Sequence, residues 1–476
     1  MVGLLGAARY DLLTPLDGVM FVLWLTVIVT VALMIRKSRY RNDPAGRYLL
    51  PGLLVKIFGG VMVGLVYQFY YKGGDTTGYF LNSSALLQIF LENFGDGVQM
   101  YFVDFHDLSY EDTALFQKYY NSGKFLVYWS DTNSYNVSRY IIWANALSLD
   151  TYYGTAILLA SFSFVGVWAL YRVFTIQYPE IAGRLAIAIL FIPSVFFWGS
   201  GILKDSLTLS TSGLLVYGCF WLLRSGYRSL WAYLLIISSG FLIYQIKPYV
   251  MFSLTPFLAI WLGLTIRQQL RSGLIRFSIV PLILVVVAGV GYLALTVAGT
   301  SSQRYSADRI LSSAVEIKND LTSGYYYSDQ RGSSYDIGEF DESFLSQFRL
   351  FIPAVVTTYF RPFIWEVRNV MMFFASIEST AVLLLFLSLL FRTGIFNLII
   401  LTARNPFLLM CIGYSIFFGY IVGLTSGNFG NLVRFKTPSL PFFLAGLFIA
   451  EYIVRLYRQR NLVRPVREAR LRPMER

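Results

Sequence analysis

Long apolar segments constrain this chain more than any other feature. Eleven of them, each about 17–23 residues long, approach or exceed the length that a helix needs to cross a bilayer. Only 14 % of the 476 residues are charged, whereas a soluble domain averages about 25 %. The sequence therefore predicts an all-α polytopic membrane protein with about eleven transmembrane helices. The predicted spans are 19–35, 49–71, 152–171, 185–202, 206–223, 230–247, 249–266, 277–298, 370–391, 406–424 and 438–454.

Basic residues between the spans predict the orientation of the chain. Every short loop on one side carries at least two Lys or Arg residues, and 455–476 carries eight. Because positive charge is retained on the cytoplasmic side, the N-terminus is expected outside and the C-terminus in the cytoplasm. The long loops 72–151 and 299–369 then lie outside. This placement accounts for the net charge of +12 without a nucleic-acid partner, since no nucleic-acid-binding pattern accompanies it.

The spans divide the chain into three predicted regions. Residues 1–48 hold an additional N-terminal transmembrane helix and a basic loop, residues 49–454 form the main transmembrane module, and 455–476 is a basic tail. Anionic lipid headgroups are expected to attract the tail, and a specific partner is the alternative. In the first long loop, apolar residues recur at helical spacing in 85–94 and 113–120, which favours helices lying in the membrane interface.

Asp75 is the first candidate site residue, because it follows Lys72-Gly73-Gly74 directly after the second span. Two glycines allow a sharp turn that holds one carboxylate at the outer mouth of the helix bundle. An aspartate in that position can take a proton from an acceptor hydroxyl. The alternative is a solvated turn in which Asp75 caps the next helix.

Lys204 and Asp205 form the second candidate pair, between the fourth and fifth predicted spans at their outer end. A lysine at an external interface is suited to a lipid phosphate. The alternative is that Asp205 caps the next helix while Lys204 extends to the membrane surface. Lys247, at another external turn, is a secondary candidate.

Three further cations, Arg361, Arg434 and Lys436, are predicted at the outer face. Each lies beside a proline or glycine turn, and arginine matches phosphate oxygens through two parallel hydrogen bonds. Any one of them could instead be an ordinary interface anchor. Arg361 and Glu366 belong to the aromatic and basic stretch 348–368, whose charges are costly in hydrocarbon. An interfacial or re-entrant segment is expected there.

The sequence gives little support for a metal or a nucleotide. One polar cluster contains Asp104, His106, Asp107, Glu111 and Asp112, but the spacing of His106 and its nearby aspartates favours a solvated surface over a divalent ion. No metal ligand is assigned, and a divalent cation is left open as a cofactor. No glycine-rich phosphate loop accompanies a strand and a helix. An enzyme built on this chain would therefore work outside without ATP and take its energy from an activated substrate.

These features resemble the GT-C class of integral membrane glycosyltransferases, and more closely bacterial membrane proteins of surface-polysaccharide assembly. The resemblance covers about 49–455 and implies a first external loop with a catalytic acid and a second external loop after the seventh family helix. These correspond to loops 72–151 and 299–369. The residues that carry the resemblance are Gly73-Gly74-Asp75 with Tyr79, Pro193-Ser194 with Trp198 and Lys204-Asp205, Arg361-Pro362-Phe363 with Trp365-Glu366, and Asn428 with Asn431 and Arg434-Phe435-Lys436.

The resemblance implies sugar transfer from a polyprenyl-phosphate-linked donor to a saccharide or lipid acceptor. The reaction would occur at the external face of a bacterial inner membrane, during assembly of cell-envelope polysaccharide or glycoconjugate. Carried over by position, Asp75 is the acid/base residue. Asp96 and Asp104 stay open as alternatives, because many family members show two close acids in this loop. The substrate-binding candidates are Tyr79, Lys204, Asp205, Arg361, Glu366, Arg434 and Lys436.

Three other functions remain as rival hypotheses. An O-antigen-type polymerase or ligase also has about a dozen helices, a large external loop and external arginines. A transporter or flippase of lipid-linked saccharides places polar groups at mid-membrane. A non-catalytic subunit of an envelope assembly is the third rival.

Overall fold

The computed structural model describes residues 12–103, 108–270, 333–338 and 343–470, together with single positions at 278, 281, 285, 289, 315 and 341. Within these regions the chain is helical, and the only strand-like pairing is one isolated bridge between Ser334 and Asn428. The helices up to residue 270 are α1 (Pro15–Arg39), α2 (Leu49–Leu65), α3 (Asp75–Glu92), α4 (Phe94–Phe102), α5 (Tyr110–Asn121), α6 (Thr132–Leu147), α7 (Tyr152–Gln177), α8 (Ala182–Leu190), α9 (Pro193–Trp198), α10 (Lys204–Arg224), α11 (Leu230–Ile246) and α12 (Pro248–Gln269). The later helices are α13 (Phe344–Arg349), α14 (Phe351–Phe360), α15 (Val370–Thr393), α16 (Ile395–Arg404), α17 (Pro406–Thr425), α18 (Phe429–Phe435) and α19 (Leu440–Arg470).

Eight helical segments of the described chain are long and apolar enough to cross a membrane. Each coincides with a predicted span, so the prediction of an all-α polytopic membrane protein is confirmed. The apolar helix α11 matches the predicted span at 230–247 but is shorter than these eight. The predicted span at 277–298 lies almost entirely outside the described residues. The eight segments are Pro15–Arg39, Pro44–Tyr70, Tyr152–Gln177, Lys204–Arg224, Pro248–Gln269, Val370–Thr393, Pro406–Thr425 and Leu440–Gln459.

The predicted span at 185–202 differs in the structure, because it is divided between the short helices α8 and α9. Pro193 begins α9, and the residue before it has extended backbone, as expected for a residue that precedes proline. A turn then connects α9 to α10. Lys56 of α2 is buried and donates a hydrogen bond to the carbonyl oxygen of Gly199 in this turn. This bond satisfies one of the carbonyl groups that the end of a short helix leaves without a partner.

Two glycines allow α7 and α10 to pack closely. A Cβ atom on Gly166 would clash with the carbonyl oxygen of Ser210, and one on Gly213 would clash with the carbonyl oxygen of Gly166. Small residues at a contact between membrane helices let the two backbones approach each other. The contact fixes the position of α10, whose first residues are the candidates Lys204 and Asp205.

Replacing Gly166 with alanine is expected to destabilise the protein by about 1–3 kcal/mol, because one added methyl group overpacks the contact. The melting temperature of the purified protein measures this loss. Gly18→Ala in α1 is the matched control, since a Cβ atom there would meet no other atom within 4 Å. Equal melting temperatures for the two variants would contradict the close packing.

The first long loop contains the four helices α3 to α6, which enclose an apolar core of their own. Leu86 and Ile89 of α3, together with Phe116 of α5, are buried in this core. The predicted amphipathic segments 85–94 and 113–120 fall within or overlap these two helices. Part of each apolar face therefore packs against protein, whereas Leu91 and Phe94 stay exposed. The first long loop forms a small folded unit.

The aromatic stretch predicted to be interfacial or re-entrant contains α14, which packs against the membrane helix α17. Thr358 donates a hydrogen bond of 2.7 Å to the carbonyl oxygen of Gly419. A Cβ atom on Gly423 would clash with the backbone of Ala354. The second long loop is thereby held against the bundle just before Arg361.

Candidate functional site

Asp75 stands at the start of α3, immediately after a turn of unusual backbone conformation. Lys72, Gly73 and Gly74 all have positive φ angles, of 56°, 129° and 122°. Such angles suit glycine and cost energy at Lys72, and non-glycine residues with this geometry cluster at functional sites. Gly74 occupies the N-cap position of α3 without a side-chain cap. The Asp75 side chain does not cap α3 and instead extends toward Arg434.

Arg434 joins Asp75 to Asp205 across one end of the bundle. Its Nη1 atom lies 2.5 Å from Asp75 Oδ2, and its Nε atom lies 2.6 Å from Asp205 Oδ2. The three residues come from α18, α3 and α10. The side chain of Asp75 is 40 % exposed, that of Arg434 is 12 % exposed, and that of Asp205 is fully buried. In this chain of ion pairs, the Asp75 carboxylate thus reaches solvent, whereas the buried Asp205 carboxylate anchors Arg434.

Lys247 extends the ion-pair chain by donating a hydrogen bond to Asp205 Oδ1. Asp205 thereby has one cation on each carboxylate oxygen. Burial alone would lower the pKa of Arg434. The charges of Asp205, Tyr67 and Asp75 outweigh burial and raise this pKa well above its usual value. The arginine therefore stays charged and keeps both aspartates in place. The alternative that Asp205 caps α10 does not hold, since no side chain caps this helix.

Lys204 is the member of this group with the loosest pairing. Its Nζ atom lies 3.8 Å from Asp131 Oδ2, which is longer than a hydrogen bond. It is also close enough to Asp75 and Arg434 for their charges to act on it. The side chain is 19 % exposed. A partly exposed ammonium group without a tight carboxylate partner can accept a negatively charged ligand.

Tyr79 lies behind the aspartate, one turn along α3, and is almost fully buried. Its ring packs against Tyr128 with the ring centroids 5.1 Å apart. Burial raises the pKa of Tyr79 well above its usual value, and the nearby charge of Asp75 raises it further. Tyr79 therefore stays protonated and forms part of the wall of the site. It lies near Asp75 as predicted, but it is not itself open to solvent.

Arg361 and Glu366 form a separate pair. The guanidinium group of Arg361 donates to both carboxylate oxygens of Glu366 and lies over the rings of Tyr335 and Phe429, about 5 Å from each centroid. Phe429 and Arg434 belong to the same short helix, α18. Arg361 therefore contacts the first residue of that helix, whereas Arg434 extends from its last turn into the aspartate cluster. The predicted joint binding of one phosphate by these two arginines has no contact to support it.

Glu366 gives this pair a pH dependence. Burial by itself raises the pKa of Glu366, but hydrogen bonds from Arg361 and from the Phe363 amide outweigh burial and leave the pKa below its usual value. A lowered pKa in the folded state stabilises the protein above the unfolded pKa of about 4.3 and loses this effect as the pH falls. The melting temperature of Glu366→Gln should therefore lie below that of the wild type at pH 7. The gap should close below about pH 4, and a gap that stays constant with pH would contradict this assignment.

Lys436 also has its own partner, away from Asp75. Its fully buried Nζ atom lies 3.9 Å from Glu378 Oε1 of α15 and donates a 3.3 Å hydrogen bond to Ser379. Glu378 in turn accepts hydrogen bonds of 2.8 and 2.7 Å from the amide and hydroxyl groups of Ser194. Burial lowers the pKa of Lys436, and Glu378 opposes this change. Lys436 therefore joins the end of α18 to α15, and Glu378 joins α15 to α9.

Two residues of the site were not predicted, and a third was only a secondary candidate. Asp131 and Tyr67 were missed, and Lys247 was ranked below the other cations. Asp131 precedes α6 and accepts a hydrogen bond from the Ser134 amide, which is the ordinary pattern of a helix cap. Its position beside Lys204 has no signal in a single sequence. Lys247 did have a signal in the sequence, because it is a lone cation between two apolar segments.

The structure thus brings Asp75, Lys204, Asp205 and Arg434 together, as the predicted site requires. It does not bring Arg361, Glu366 or Lys436 into the same cluster. Asp96 is tied to Lys118 and Tyr119 of the first loop, at 2.9 and 2.7 Å. Asp104, His106 and Asp107 of the polar cluster lie outside the described residues, and no group of three potential metal ligands occurs among the residues that are described. No protein-family model, curated protein or solved structure matches the chain.

Proposed function

We propose that the protein is a membrane glycosyltransferase. It moves a sugar from a polyprenyl-phosphate-linked donor to a saccharide or lipid acceptor, at the membrane face that carries Asp75. The positive-inside rule favours the external face, with the N-terminus outside and the C-terminus cytoplasmic, and the family resemblance implies a bacterial inner membrane. One observation carries the proposal: the partly exposed carboxylate of Asp75 is held in place by Arg434 beside the loosely paired Lys204.

The arrangement of Asp75 suits a general base. Arg434 bonds Oδ2, and among the described residues no group donates to Oδ1, which leaves that oxygen for an acceptor hydroxyl. The hydroxyl oxygen attacks the anomeric carbon of the donor sugar while its proton passes to Asp75. The bond between the anomeric carbon and the donor phosphate oxygen breaks, and polyprenyl phosphate leaves with the electron pair.

Lys204 is placed to hold the donor phosphate. Negative charge increases on the phosphate as it leaves, and a fixed cation stabilises this charge most strongly in the transition state. Asp131 lies 3.8 Å away and can give up the lysine to a phosphate without breaking a tight ion pair. Asp205 and Lys247 do not need to touch the substrate, because their contacts set the position of Arg434. They act as positioning residues.

A transporter of lipid-linked saccharides is the second candidate, and buried charges within the bundle favour it. Lys56 and Glu378 are both buried inside segments long enough to span the membrane. Ionisable groups at such positions often mark a transport pathway. Each has a hydrogen-bonding partner, Gly199 for Lys56 and Ser194 for Glu378, so both also serve to join helices.

The test uses the purified protein in liposomes with labelled short-chain polyprenyl-phosphate hexoses and an alkyl glycoside acceptor. We expect free polyprenyl phosphate and a glycosylated acceptor to form without ATP or a nucleotide sugar. Movement of the intact labelled lipid across the bilayer, without any covalent change, would support the transporter instead. Products that grow by repeated addition of a saccharide chain would support the polymerase or ligase. If neither reaction nor transport occurs with any donor, the non-catalytic subunit becomes the better hypothesis.

A further inference from the structure

A second polar cavity lies between helix ends on the other side of the bundle. Its volume is about 460 Å³, and its lining includes Arg224, Arg404, Tyr178, Trp261, Gln268 and Asn405. Arg224 and Gln268 lie in the last turns of α10 and α12, and Trp261 lies about two turns earlier in α12. Arg404 ends α16, and Tyr178 and Asn405 follow α7 and α16. Neither the proposed transferase reaction nor any sequence motif uses this cavity.

The lengths of two helices place the cavity far from Asp75. Helix α10 begins at Lys204, in the Asp75 cluster, and ends at Arg224, in the cavity wall. With a rise of 1.5 Å per residue, its 21 residues separate the two sites by about 30 Å. Helix α12 gives the same result, because it follows Lys247 and ends beside Gln268. The cavity is therefore a separate site at the opposite membrane face.

The charge of the cavity is entirely positive. None of the residues that line it is acidic, and neither Arg224 nor Arg404 has a carboxylate within 4 Å in the described part of the chain. Both arginines are exposed at the mouth, whereas Trp261 is buried in the wall. Asn405 is held by Tyr178, whose hydroxyl oxygen lies 3.0 Å from the Asn405 amide nitrogen. The cavity thus combines two free guanidinium groups with amide and aromatic surfaces.

A second recess of similar volume differs from this cavity in how its arginines are paired. Its lining includes Arg47, Arg184, Arg455 and Glu180. Arg184 and Arg455 are both bonded to Glu451, at 2.9 and 2.5 Å. These two arginines therefore have a carboxylate partner, in contrast to Arg224 and Arg404.

We propose that the cavity between α7, α10, α12 and α17 binds a phosphate group. Guanidinium groups bind phosphate oxygens through paired charge-assisted hydrogen bonds, and basic pockets between membrane helices take anionic headgroups. The phosphate comes either from an anionic phospholipid of the adjacent leaflet or from a soluble phosphorylated molecule. The inference does not depend on the transferase activity, and its test needs no turnover.

The test measures binding to the full-length protein in a neutral detergent by native mass spectrometry. The probes are dioctanoyl phosphatidylglycerol, dioctanoyl phosphatidylcholine and ATP. The double variant Arg224→Gln/Arg404→Gln should weaken phosphatidylglycerol or ATP binding about tenfold or more, because two charge-assisted contacts are lost. The double variant Arg41→Gln/Arg228→Gln is the control, since it removes the same charge from exposed positions at the same end of the bundle.

The preferred probe distinguishes the two sources of phosphate. Binding of phosphatidylglycerol but not ATP supports a lipid site, and stronger binding of ATP supports a soluble ligand. Thr265→Phe fills the cavity from α12 without changing charge, and it should weaken binding of the preferred probe as well. An equal loss in the cavity and control variants would overturn the proposal, because it would show general attraction to positive charge. Equal binding of phosphatidylcholine, or no binding of either anionic probe, would also overturn it.

Discussion

Asp75→Asn is expected to lower the rate of sugar transfer by about a hundredfold or more, since a positioned general base contributes on the order of 10²–10⁴ to a reaction. Asparagine keeps the shape of the side chain and still accepts a hydrogen bond from Arg434, but it cannot take a proton. The fold should therefore survive while the reaction stops. The measurement is the rate of polyprenyl phosphate release from the labelled donor, together with the melting temperature of each variant.

Asp96→Asn is the matched control for this experiment. Asp96 is another aspartate of the same loop, and its carboxylate is engaged by Lys118 and Tyr119 instead of facing the Arg434 cluster. We expect this variant to keep nearly the full rate. Near-normal transfer by Asp75→Asn, with loss of transfer in Asp96→Asn, would move the base to Asp96. Full activity in both variants would refute the assignment of a base to either residue.

The hydrophobic pattern predicted the membrane helices well because lipid imposes a simple rule on the sequence. A segment that crosses the bilayer must be apolar along about 20 residues, and this requirement is local. The exception, 185–202, shows the limit of the rule. Its composition suits a single span, but Pro193 ends the regular helix, and the chain folds into two short helices and a buried turn. The composition of a segment indicates whether it lies in lipid or in water, whereas the course of its backbone depends on individual residues such as Pro193.

Pairings between charges could be predicted only in part. The orientation of the spans placed Asp75, Lys204, Asp205 and Arg434 at one membrane face, and the structure joins them there. The same reasoning assigned Lys436 to that site, but it lies 3.9 Å from Glu378 and donates a hydrogen bond to Ser379 instead. A membrane face contains many charges within a few ångströms of the same depth. Which of them meet depends on the rotation and packing of the helices, and a single sequence carries no signal for either.

Local geometry could have corrected the prediction for Arg361. Glu366 follows it by five residues across the Pro362 turn, and the two side chains meet within that turn. Both residues were assigned to substrate, although such a close opposite charge is itself a ready partner. Arg434 has no acid so near in the sequence. Its partners Asp75 and Asp205 lie hundreds of residues away, which is why only the structure identifies it as the centre of the site.

Asp205→Ala is expected to destabilise the protein by about 3–5 kcal/mol, the usual cost of leaving a buried charge without its partner. Asp205 is fully buried and holds Lys247 on one oxygen and Arg434 on the other. Its loss leaves a buried lysine with no carboxylate and an arginine with only Asp75. Thermal unfolding measures the effect, and Lys118→Ala is the control. Lys118 is 61 % exposed in its pair with Asp96, so its removal should cost at most about 1 kcal/mol.

A second substitution separates the loss of charge balance from the loss of packing. If the cost comes from the unpaired lysine, Lys247→Met in the Asp205→Ala background should restore part of the stability, because no buried lysine is then left without a carboxylate, and Arg434 keeps Asp75. If the cost comes from the cavity that alanine leaves, the double variant should be no more stable than Asp205→Ala alone. Restored stability in the double variant, with transfer still impaired, would mean that Asp205 and Lys247 form one unit. That unit would hold Arg434 against Asp75, and the proposed base would depend on it for its position.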